Sequence, residues 1–121
     1  MLSVLNVLLF ALAAAIAHAD VAGNWRVEFV TASQGEVGVT MTINQADTKL
    51  TGHVVNEDGE FELEGTIDGD QITVVWTVPE QGKPMQITMK GTVKGEFITG
   101  VARLGNVGEG ALEARRVSRN P

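Results

Sequence analysis

The chain has 121 residues, a formal net charge of −6, no cysteine, no tyrosine and two tryptophans. The missing cysteines exclude disulfides, thiolate metal sites and a lipid-modified N-terminal cysteine. The acidic balance, with no block of Lys or Arg, argues against nucleic acid as a partner, because a phosphate backbone would be repelled.

The first segment, LSVLNVLLFALAAAIA (2–17), is apolar apart from Ser3 and Asn6. Ala17-His18-Ala19 follows as a small-x-small site, and then Asp20. The pattern predicts a secretory signal peptide over residues 1–19, cleaved after Ala19, and a mature domain over residues 20–121. No Lys or Arg precedes the apolar run, and an uncleaved membrane anchor is the alternative. The run is shorter than the ~20 apolar residues a spanning helix needs. The expected location is secreted or periplasmic. Export without disulfides points to a bacterial extracytoplasmic space. A mature chain of this length forms one domain.

From Trp25 onward the apolar period is two. In FELEGTI (61–67), Phe61, Leu63, Gly65 and Ile67 share one face, and Glu62, Glu64 and Thr66 share the other. VTMTIN (39–44), QITVVWTV (71–78) and MQITMKGTV (85–93) alternate in the same way. Such alternation predicts strands with one buried and one wet face. Turn signals at 31–36, 45–48, 56–59, 68–69, 79–83, 94–95 and 105–108 divide the chain into about eight strands.

GTIDGDQIT (65–73) returns as GTVKGEFIT (91–99). Each copy reads as the end of one strand, a tight turn and the start of the next. Gly52, Gly65, Gly91 and Gly100 all fall on the apolar face, where glycine lets strands coil. The prediction is an all-β fold: an up-and-down antiparallel meander closed into a small barrel, which leaves no free edges. The rival is a two-sheet sandwich, which would need longer crossovers.

Gly23-Asn24-Trp25 opens the first strand, and Arg115-Arg116 lies near the end of the last. With the meander, this resembles the calycin superfamily, the lipocalin and avidin group of barrels. Leu50-Thr51-Gly52 is also similar to the avidin pattern. The resemblance implies that a late Arg packs across the Trp ring. Closure of an even number of strands sets the first beside the last, so Trp25 and Arg116 are expected to meet at one end. A cation–π contact there would contribute about 0.5–2 kcal/mol. Avidin's biotin chemistry does not carry over, because the matching inward positions are apolar: Val27, Phe29 and Val54.

Alternation leaves Arg116 as the only charged side chain on the inward face. The interior therefore offers neither a general acid–base pair nor an activated nucleophile. No catalytic residue, metal ligand or cofactor is assigned. A small barrel that catalyses by shaping an apolar pocket needs few such groups, so an enzyme stays open as a third reading. His53 is expected to point outward. Glu57, Asp58, Glu60, Glu62 and Glu64 are read as a solvated outer face rather than a cation site, since calcium needs converging oxygens.

Side chains could fill the interior, or a cavity could admit a ligand. The Trp25 end is expected to have the tighter turns and the opposite end the longer loops. In lipocalins and avidins the ligand enters at the loop-rich end. By that resemblance, the mouth would be lined by Phe29, Val37, Val54 and Phe61 from the first four strands. Trp76, Met85, Leu104 and Leu112 would complete it. A hydrophobic or amphipathic small molecule suits such a mouth. The alternative is a solid-core module that meets a protein partner through loops 31–36 and 79–83.

Overall fold

The computed structural model describes residues 17–32 and 35–121. The expected signal peptide lies, up to residue 16, outside the described residues. Eight strands follow in chain order: β1 (Gly23–Thr31), β2 (Gly35–Ala46), β3 (Lys49–Asn56), β4 (Gly59–Asp68), β5 (Gln71–Glu80), β6 (Lys83–Lys94), β7 (Phe97–Leu104) and β8 (Gly108–Ser118). Each pairs antiparallel with the next, and β8 returns to β1, so the sheet is a closed barrel in meander order. The described residues contain no helix. The closed ladder excludes the sandwich.

Alternation sets which side chains enter. Along β4, Leu63 and Ile67 are buried, while Glu62, Glu64 and Thr66 face solvent. The same rhythm on every strand builds one core from Trp25, Phe29, Met41, Leu50, Trp76 and Met89 with their neighbours. Among the described residues Arg116 is the only charged one buried with them.

The repeated phrase marks two hairpins at one end of the barrel. Gly69 and Gly95 take the same left-handed conformation, with φ of 61° and 63°. Each admits a two-residue turn, between β4 and β5 and between β6 and β7. The inward glycines sit where neighbouring backbones come close. Gly91 faces Gly100 across the β6–β7 ladder. A Cβ on Gly100 would lie 1.9 Å from the Lys90 carbonyl oxygen. No side chain fits there, so the tight coiling of this pair depends on glycine.

One expectation needs correction. The end opposite Trp25 carries no long loops. Only residues 57–58 separate β3 from β4, only 81–82 separate β5 from β6, and the other two connections are 32–34 and 105–107. The strands run further than the turn signals indicated. Gln81 and Gly82 both adopt positive φ, 53° and 79°, which permits a two-residue hairpin where PEQGK read as a loop. Asn56 Oδ1 accepts from the backbone N–H of Asp58 and Gly59, tightening the β3–β4 turn in the same way.

Gly100→Ala is expected to destabilise the fold by about 2–4 kcal/mol, because the new Cβ meets backbone that cannot yield. Gly38→Ala provides the contrast. Its Cβ would lie 3.4 Å from the flexible Arg26 Nη2, and the change should stay within about 0.5 kcal/mol. Urea unfolding of both variants measures the difference.

Candidate functional site

The two ends of the barrel are built differently. Where β1 begins beside the end of β8, Trp25 pairs with Arg116. The guanidinium carbon stands 4.7 Å from the Trp25 ring centroid, a cation–π contact out of water. The Trp25 Nε1–H donates to the Val21 carbonyl at 2.9 Å. The Arg116 side chain is 2% exposed. Its Nη1 donates to the Ala22 carbonyl at 2.8 Å, and its Nη2 to the carbonyls of Asp20 at 2.9 Å and Gly95 at 3.1 Å. Its Nε donates to Glu96 Oε1 at 3.1 Å. Arg119 bridges the outer oxygens of the Asp20 and Glu96 carboxylates.

The chain before β1 is tied down at the same place. Gln45 Oε1 accepts from the Val21 N–H at 2.8 Å, and its Nε2 donates to the Ala19 carbonyl at 3.0 Å. The Ala19 N–H donates to the Gly69 carbonyl at 2.8 Å. Val21 is fully buried. This end is a clasp with its hydrogen bonds satisfied. Among the described residues no buried side-chain nitrogen or oxygen lacks a partner. Reasoning from sequence did not find Val21, Gln45 or Glu96. Their signal is weak, since each acts through a contact far along the chain.

The opposite end is open. The β4–β5 ladder stops at the Leu63–Trp76 rung. Residues 35–39 of β2 pair with β1 alone, and residues 83–86 of β6 pair with β5 alone. The β1–β2 and β5–β6 hairpins therefore stand above the rest of the rim. A cleft of about 330 Å³ lies between them.

Five of the eight expected mouth residues line this cleft: Phe29, Val37, Trp76, Met85 and Leu104. Phe29, Trp76 and Leu104 belong to the buried core and form its floor, while Val37 and Met85 pack against that core from above. Phe61 lies instead by a slot beside Trp76, at the split between β4 and β5, with Glu60, Glu62 and Glu64. Val54 and Leu112 are buried in the core, Leu112 opposite Phe29, and do not line the cleft.

The rim is acidic. Glu36, Glu57, Asp58 and Glu80 line the cleft, all solvent-exposed, and among the described residues no Lys, Arg or His does so. Glu57 and Asp58, which fall in the 56–59 turn signal and read from sequence with Glu60, Glu62 and Glu64 as a solvated outer face, occupy the β3–β4 turn, where they look over the mouth. The signal was available: in a meander, alternate turns share one end, and the acidic residues of 31–36, 56–59 and 79–83 must gather there. Glu60, Glu62 and Glu64 do lie on the outer face of β4, and His53 is partly exposed beside Glu60, with Nδ1 3.8 Å from Oε2. Among the described residues no three of His, Cys, Asp or Glu converge to hold a metal ion.

An apolar floor under a ring of carboxylates can hold the apolar part of a ligand and attract its positive part. No protein-family model matches the chain, and a search of curated proteins finds no relative.

At the clasp, Arg116→Ala should cost about 2–4 kcal/mol, since it removes the cation–π contact and strands three carbonyls. Arg116→Lys should recover only part of that, because an ammonium cannot span the same acceptors. Arg115→Ala, on the outer face, should change stability by no more than about 0.5 kcal/mol. Thermal unfolding of the three variants orders them.

Proposed function

We propose that this protein is an exported, calycin-like barrel of a bacterial extracytoplasmic space that binds a small amphipathic molecule at its open end. The observation that carries the proposal is the acid-rimmed cleft over Trp76. The apolar part of the ligand rests on Phe29, Trp76 and Met85. A cationic or hydrogen-bond-donating head group sits among Glu36, Glu57, Asp58 and Glu80. A volume of about 330 Å³ is at the small end of ligand sites, so the ligand is compact. Export rests on the apolar run and the Ala17-His18-Ala19 site. Because Ala19 and Asp20 are hydrogen-bonded onto the folded barrel, cleavage after Ala19 would precede folding.

A second reading is a protein-interaction module. It is favoured by the packed interior, with Phe29, Trp76 and Leu104 closing the floor. The partner would meet the tips of the two raised hairpins, at residues 31–36 and 79–83.

Protein purified from an exporting host should show a tryptophan fluorescence change with alkylammonium ions. Alkyl sulfates of equal chain length should give a weaker response. Trp76→Phe should abolish the change, and adding salt should weaken binding, because the rim acts through exposed charges. Silence toward both amphiphiles, with no adduct in native mass spectrometry, would overturn the ligand reading in favour of the second.

A further inference from the structure

The outer face of β7, β8 and β1 carries an unusual arrangement of charge. Across the β1–β8 ladder Arg26 stands opposite Arg115, and on the next outward rung Glu28 stands opposite Glu113. Like charges directly opposite each other destabilise a solvated sheet. Swapping one Arg with one Glu would have relieved both rungs. Arg26 reaches Glu28 along its own strand at 3.8 Å. Among the described residues no ion pair or hydrogen bond of the Arg115 or Glu113 side chain is found.

Exposed apolar residues surround these rungs. Phe97 flanks Arg115 from β7, and Val101 flanks Ala111. Phe97, Val101, Val117 and Val30 are 57%, 42%, 53% and 54% exposed. Only two other large apolar side chains are comparably exposed among the described residues, Val55 and Val107, so most of that surface is gathered here. The face is also hollowed. A trough of about 600 Å³ runs between Phe97, Thr99, Glu113, Arg115 and Val117, bounded on the β1 side by Arg26 and Glu28.

We propose that this face binds a second copy of the chain in an isologous dimer. The charge pattern is self-complementary. Read outward along β8 from the clasp, the residues are Val117, Arg115, Glu113 and Ala111. Take a two-fold axis lying in the face and crossing the strands between the Arg and Glu rungs. It sets Arg115 against Glu113 of the other copy, Arg26 against Glu28, and Val117 against Ala111. Each strand faces its own counterpart antiparallel, as a two-fold requires. Both like-charge rungs are neutralised at once, and the apolar residues flanking them are covered. Three strands make a small interface, so the dimer is of roughly micromolar affinity. The proposal is independent of the ligand reading, because this face lies on the side of the barrel, away from the mouth.

Charge-swap variants provide the test by sedimentation velocity. The wild-type chain, purified from an exporting host, should pass from monomer to dimer as its concentration rises through the micromolar range. The pair Arg26→Glu and Arg115→Glu makes both rungs acidic, and Glu28→Arg with Glu113→Arg makes both basic. Each double variant alone should remain monomeric, with an unchanged circular dichroism spectrum. Mixed in equal amounts, the two should form a heterodimer of at least wild-type affinity. A wild type that stays monomeric at about 500 μM overturns the proposal. So does a swap variant that still self-associates, or a mixture of folded variants that does not associate. If either variant fails to fold, the single substitutions Arg115→Glu and Glu113→Arg are mixed instead. The same outcomes then decide.

Discussion

Barrel closure depends on one buried guanidinium. The first and last strands are the most distant pair in sequence, so their contact carries the largest loop-closure cost. Arg116 holds that seam from the inside. It lies over the Trp25 ring and takes carbonyl oxygens from the chain before β1 and from the β6–β7 turn. The chain before β1, the end of β8 and the β6–β7 turn are thereby joined at one charged group. A cation in that position is stable because its surroundings supply an aromatic face, several acceptors and a carboxylate together.

The rest of the architecture follows from this closed end. With Asp20 and Ala22 held by Arg116 and Val21 by Gln45, the start of β1 is fixed in register with β8. The hairpin turns at Gly69 and Gly95 then propagate the meander around the seam. Glycine at positions such as Gly100 lets the sheet coil within the small circumference that eight strands allow. The opposite end is left with longer, partly unpaired strands and an open cleft.

That asymmetry divides the surface into regions of different chemistry. At the clasp, charges are paired: the buried Arg116 meets the exposed carboxylates of Glu96 and Asp20, which Arg119 ties together at the surface. At the mouth, carboxylates stand exposed over apolar side chains, and among the described residues no cation lines the cleft; Lys83 stands across the β5–β6 hairpin from Glu80. On the side, the Arg and Glu rungs of β1 and β8 balance in total but oppose like with like. Folding energetics alone do not account for either of the last two arrangements.

Much of this was legible in the sequence. Period-two alternation in segments such as FELEGTI and QITVVWTV, broken by Gly-containing turns, determined the strands, their inward faces and the meander. Those are local properties, since backbone geometry alternates side chains whatever the rest of the chain does. The repeated phrase determined two corners for the same reason. The same meander order set the acidic turns 31–36, 56–59 and 79–83 at one end. Three things were decided only by tertiary structure: the length of the mouth strands, the roles of Val21, Gln45 and Glu96, and the rung that sets Arg26 opposite Arg115. Each depends on the register between strands far apart in the chain. Register follows from how the closed barrel packs, and no short window of sequence carries that information.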